Sequence, residues 1–160
     1  MKSASMIAAA LLALCVADTV LGQTAWPAFM PSLEPDISAS PVPSILPNDI
    51  VVEAPAVDIP ADKARWSGRW RGWAGRDRAI DTRLVVAKLS PEGATIFYAA
   101  AAATLAPYNT RADAKFIGNE LQATIGNGAN VSYRMRPSGD LEFIFRQNRS
   151  VVVGILSREK

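Results

Sequence analysis

The sequence predicts an all-β fold: an antiparallel up-and-down meander of about eight short strands, closed into a barrel. Three observations predict it. Between Arg111 and Phe145, three successive turns fix strand registers that agree with one another. Further strand-like runs precede and follow that stretch, at 66–72, 82–89, 94–103 and 151–156. The connections are mostly short, so each strand is followed by the neighbour it should pair with.

The hairpin closed by Pro137-Ser138-Gly139 comes first. Pro presets φ for the first turn position, and Gly accepts the left-handed one that ends a three-residue loop. Closing it sets Arg136 opposite Asp140, Met135 opposite Leu141, Arg134 opposite Glu142, Tyr133 opposite Phe143 and Val131 opposite Phe145. Apolar meets apolar on one face and opposite charges meet on the other, so a slip of one residue is penalised. One turn earlier, Gly126-Asn127-Gly128 pairs Ile125 with Ala129, Ala123 with Val131, Leu121 with Tyr133 and Glu120 with Arg134. Earlier still, the two-residue turn Gly118-Asn119 sets Phe116 opposite Leu121, Ala114 opposite Ala123 and Ala112 opposite Ile125. The three turns define one apolar face, a consistency expected of a foldable sequence. The opposite face is polar, read either as a solvated sheet surface or as a charged binding surface.

Ahead of this meander, Trp66, Gly68, Trp70 and Gly72 share one face of the first strand. Thr82–Leu89 and Ala94–Ala103 flank Pro91-Glu92-Gly93, a loop of the same Pro-x-Gly form. Closing that loop likewise sets Leu89 opposite Thr95 and Ala87 opposite Phe97. Ala99–Ala103 is ambiguous, because Ala favours helix. Val151–Leu156 forms the last strand. The barrel interior is expected to hold Trp66, Trp70, Phe116, Tyr133 and Phe143.

Three parts make up the chain. Residues 1–22 read as a secretory signal: Lys2, an apolar run from Met6 to Val16, then small residues, with cleavage expected after Gly22. The run is too short to span a bilayer and Asp18 interrupts it, so no transmembrane segment is expected in the mature chain. Cys15, the only cysteine, follows Leu12-Ala13-Leu14 in the manner of a lipobox, which leaves lipid attachment as a second reading. Residues 23–62 hold eight of the eleven prolines and no Lys or Arg. They read as an acidic, disordered Pro-rich linker, either a plain spacer or a recognition arm. Residues 63–160 form the barrel domain, with 16 basic against 8 acidic side chains behind an overall net charge of +2. The acidic arm either folds back on this basic domain by charge attraction or leaves it for an acidic partner such as an envelope component.

The chain has no histidine. This excludes His-based triads, His general bases and His-ligated metals. No Gly-rich phosphate loop, nucleophile elbow or metal-ligand cluster stands in the sequence, so neither cofactor nor metal is expected. No nucleic-acid-binding motif is present either.

Gly68-Arg69-Trp70, opening the first strand of an eight-stranded meander, resembles the G-x-W start of calycins, the lipocalin and avidin-like barrels. In that family a Trp near the first strand packs near a basic residue close to the last. The resemblance gives those places to Trp70 and to Arg149 or Arg158. It implies a barrel that acts by binding.

The expected ligand-binding residues are Trp73, Arg76, Asp77, Arg78 and Arg83, in and beside the loop after the first strand. Arg forks beside a Trp suit a carboxylate, phosphate or sulfated sugar. The alternative is that Asp77 and Asp81 neutralise those Arg side chains and the loop only covers one barrel end. The expected function is a periplasmic or secreted, non-enzymatic binder of an envelope component or small anionic or amphipathic molecule. The alternatives are a protein-interaction module like the calycin-type protease inhibitors and, residually, a hydrolase built on Asp77 and Asp81.

Overall fold

The computed structural model describes residues 42–75 and 78–160. The expected signal segment and residues 23–41 lie outside the described residues. The described chain forms one short helix, α1 (Ala61–Ala64), and eight strands: β1 (Gly68–Ala74), β2 (Ile80–Leu89), β3 (Gly93–Ala102), β4 (Leu105–Ile117), β5 (Glu120–Thr124), β6 (Asn130–Met135), β7 (Leu141–Gln147) and β8 (Ser150–Arg158). Each strand pairs antiparallel with the next, and β8 returns to β1, closing the barrel in sequence order.

The two later hairpins take the registers their turns dictate. Tyr133 pairs with Phe143 and Leu121, and Arg134 lies between Glu120 and Glu142. Arg134 donates to Glu142 at 2.6 and 3.0 Å. The Gly118-Asn119 turn also sets the expected register, with Phe116 opposite Leu121, but over a shorter ladder, and one expected register is corrected. β4 and β5 pair only from Lys115–Gln122 to Ile117–Glu120, so Ala114–Ala123 and Ala112–Ile125 are not ladder partners. In the β2–β3 hairpin, Leu89 pairs with Ala94 and Val85 with Phe97, with a register shift between Val86 and Lys88. Here Ser90 and Gly93 exchange backbone hydrogen bonds, which leaves Pro91-Glu92 as a two-residue loop. Gly93 is the first residue of β3, where a Cβ would stand 2.0 Å from the Ala114 carbonyl oxygen.

The interior is one apolar cluster containing Trp66, Trp70, Leu84, Ile96, Tyr133 and Phe143, with Phe116 packed against it. One end is plugged. α1 delivers Trp66 to the barrel bottom, where it meets Phe116 edge-on at 5.7 Å. Trp70 Nε1 donates to the Trp66 carbonyl at 3.1 Å. The Arg158 guanidinium lies 4.3 Å from the Trp70 ring and donates to the carbonyls of Ser67 and Arg65. Arg149 sits in the β7–β8 turn at the other end, so Arg158 is the basic residue beside Trp70.

The segment before α1 does not stand apart from the barrel. Leu46 and Ile50 are buried against Val85, Ala87 and Ala99 on the outer face of β2 and β3. Glu53 N donates to the Ala87 carbonyl at 2.7 Å. This strap explains why β2 is apolar on both faces, with Leu84 and Val86 inward and Val85 and Ala87 outward. It also explains the alanine run. Ala99 and Ala101 lie fully buried on the outer face of β3, where a small side chain lets the strap approach, while Ala100 faces the core. Residues 44–53 thus follow the folded-back reading of the arm, held mainly by apolar contact. The exposed Glu53–Lys88 ion pair at 3.1 Å adds little.

Candidate functional site

The site begins with the outward positions of β1. Alternation places Arg69, Arg71 and Trp73 on the outer face while Trp70 and Ala74 enter the core. Barrel closure then sets Ser157 to Lys160 beside them, with Trp70 opposite Arg158 and Arg71 opposite Ser157. The strap supplies the facing lip. The result is an open groove of about 820 Å³ lined by Val52, Arg69, Arg71, Trp73, Arg158 and Lys160, among others. Its floor is apolar and its rim basic, with Glu159 the single acid in the lining.

Trp73 is 5 % exposed, and its ring lies beneath the Arg71 guanidinium at 5.8 Å. Arg69 Nη2 donates to the Ile50 carbonyl of the strap at 2.7 Å. Arg71 Nε donates to Asp81 Oδ1 at 3.1 Å. Asp81 is 0 % exposed and is the hub behind the groove. Its other oxygen accepts from Ser44 N at 2.6 Å and Ser44 Oγ at 2.9 Å. Arg83 Nε stands 3.9 Å away, and Arg83 Nη1 lies 4.0 Å from Glu159. Asp81 therefore ties the strap to the barrel and fixes the Arg71 side chain by one carboxylate.

The expected residues separate. Trp73 and Arg83 are on the outer wall, one lining the groove and the other behind it. Arg78 is in the β1–β2 loop with a positive φ of 52°. Arg76 and Asp77 lie outside the described residues. The groove's other cations, Arg69, Arg71, Arg158 and Lys160, were not singled out from sequence as ligand-binding. The signal for two of them was the spacing Arg69-x-Arg71-x-Trp73, which puts all three on one strand face. Among the described residues, no three acidic, histidine or cysteine side chains converge on one point. No described helix is long and apolar enough to cross a membrane.

Removing the hub has a defined consequence. Asp81→Ala strands the Ser44 N–H and leaves Arg71 without its carboxylate. Truncating one partner of a fully buried pair costs about 3–5 kcal/mol. Arg71 and Arg83 are 31 % and 26 % exposed, so solvent screening reduces the expected loss to about 2 kcal/mol. The variant should also show faster amide exchange and proteolysis between Ser44 and Glu53, with β6 and β7 still protected. Unchanged protection of the strap would show that its apolar contacts suffice.

No protein-family profile matches this chain, and no curated protein matches it in sequence.

Proposed function

We propose that this chain is an exported, non-catalytic binding protein of calycin type, and that it takes an anionic amphipathic molecule in the outer groove between the strap and β1–β8. The observation that carries this reading is the convergence of Arg69, Arg71 and Lys160 on a groove floored by Trp73 and Val52. The basic rim suits a phosphate, sulfate or carboxylate head, and the floor suits the first part of an apolar tail. The Trp70–Arg158 pair at the plugged end supports the calycin resemblance. The signal-like residues 1–22 support export. Asp81, one of the two carboxylates of the hydrolase alternative, is occupied by Ser44 and Arg71, which favours binding over catalysis.

A tryptophan-fluorescence titration tests the groove. Dodecyl phosphate should perturb Trp73 and bind more weakly as salt rises, since exposed charges are screened. Dodecanol and inorganic phosphate should each bind less well than the molecule that joins them. Arg71→Gln should weaken dodecyl phosphate about tenfold, the worth of one charge-assisted hydrogen bond. Equal affinity for dodecanol and dodecyl phosphate, or none for either, would remove the reading.

A second reading, a protein-interaction module, draws on one observation. Ile45, Val51 and Val57 of the strap and its connection are exposed apolar side chains. Capture of a specific exported protein by the wild-type chain, lost on Ile45→Ser/Val51→Ser, would favour it.

A further inference from the structure

The barrel wall is least complete between β4 and β5. β4 runs 13 residues, yet only Lys115, Phe116 and Ile117 pair with β5. Against β3 it pairs from Leu105 to Lys115. Among the described residues, the β4 edge turned toward β5 thus has no strand partner from Leu105 to Ala114. Phe116 N donates to the Glu92 carbonyl, on the β3 side. Alternation along the strand then aims the N–H and C=O groups of Asn109, Arg111 and Asp113 at the open edge. Pro107 falls on the same parity, so its missing N–H costs no ladder bond, as edge prolines require.

An open row of backbone donors and acceptors is a template for another strand. The side chains of Asn109, Arg111 and Asp113 are exposed on the outer face. The pattern is self-complementary. A two-fold axis through Ala112 sets Arg111 opposite the partner's Asp113 and Asp113 opposite the partner's Arg111. Both pairs are of the hydrogen-bonded type, because all four residues aim their backbone groups at the edge. The next register with the same parity has its axis at Arg111 and sets two guanidiniums against each other, which disfavours it. Alongside the edge runs an open groove of about 580 Å³ with Asp113 and Lys115 on its near lip, giving a strand room to lie there.

We infer that the β4 edge is a homodimer interface, on which a second copy of this chain adds its own β4 antiparallel with the two-fold axis at Ala112. One closed interface of this kind occupies both edges and ends the assembly at two. It lies on the wall opposite the β1–β8 groove, so dimerisation and ligand binding operate independently.

Sedimentation velocity across a concentration series of the chain lacking residues 1–22 tests the inference, with circular dichroism to check folding. The wild type should pass from monomer to dimer as concentration rises. Arg111→Asp and Asp113→Arg are exposed changes that place like charges opposite each other, and each alone should weaken the dimer roughly a hundredfold. An equimolar mixture of the two should form a heterodimer, because every cross-strand pair is again of opposite charge. A wild type that stays monomeric at millimolar concentration would overturn the inference. So would folded single variants that dimerise like the wild type, or a mixture that gains nothing.

Discussion

Gly72→Ala is expected to unseat the barrel closure and to cost about 4 kcal/mol or more. Gly72 pairs with Leu156 across the β1–β8 seam. A Cβ there would stand 1.9 Å from the Ile155 carbonyl oxygen and 2.9 Å from the Leu156 Cα. Both obstacles are backbone, so no rotamer change relieves them. The seam must widen, and with it the register that carries Arg158 over Trp70. Overpacking in cores costs about 1–3 kcal/mol where side chains yield, and losses above about 4 kcal/mol belong to sites where they do not. Against the ~5–15 kcal/mol of a small domain, this removes much of the margin. Gly139→Ala is the control. Its turn position has open space and a φ of 92°, so only backbone strain of about 1 kcal/mol is expected. Urea unfolding of both variants gives the comparison. Equal losses would mean that the seam relaxes freely and that close approach is not what selects Gly72.

The contrast between two similar loops shows how far the fold was legible. Pro137-Ser138-Gly139 and Pro91-Glu92-Gly93 look alike as sequence. In the first, Gly139 takes the left-handed conformation and Arg136 N bonds to the Asp140 carbonyl, so the three-residue loop gives the right register. In the second, Gly93 is needed for its lack of a Cβ against β4, and the loop shortens to two residues. A glycine selected by a distant strand cannot be told from one selected by its own turn. The strap was hidden for a related reason. Its prolines forbid regular structure, and in the sequence that pattern is the same as a disordered spacer's. Yet Ser44, Leu46, Ile50 and Val52 dock through side chains, which needs no ladder. The clue lay in its counterpart: Leu84 to Ala87 are apolar on both faces, and a strand with water on one side does not carry that pattern.

The candidate groove was harder to read than the fold. Sequence reasoning followed the cluster of Arg and Asp in the β1–β2 loop, because loops carry sites more often than strands do. Of the loop's neighbours, Asp81 stays on the outer face and is buried beneath the strap, holding Ser44, which no local pattern announces at a separation of 37 residues. The groove is composed of the first strand, the last strand and the strap, three segments far apart in sequence. Only closure of the barrel makes them adjacent.

Alkaline pH should unfold this barrel more steeply than its surface charge implies. Tyr133 is completely buried, and burial, reinforced by the neighbouring Tyr98, raises its pKa well above the ordinary tyrosine value of 10.0. Tyr98 is raised in the same direction, first by burial and then by Tyr108. The folded state therefore keeps both phenols protonated where the unfolded chain has released them. Below pH ~10 the two states hold the same protons and the contribution is complete. Above it the unfolded state binds fewer protons, so stability falls by about 1.4 kcal/mol per pH unit for each tyrosine until the folded values are reached. Two tyrosines give a slope of about 3 kcal/mol per unit, which removes about 6 kcal/mol by pH 12, as much as the whole stability of a domain at the low end of the usual range. Urea midpoints at stepped pH, with phenolate absorbance at each step, would measure it. Phenolate formation by Tyr98 and Tyr133 should coincide with unfolding, and Tyr133→Phe should halve the slope. The same variant should lose nothing near neutral pH, because the Tyr133 hydroxyl has no hydrogen-bond partner among the described residues. Titration of all tyrosines near pH 10 with the barrel intact would mean that solvent reaches the interior and that the core is looser than its burial indicates.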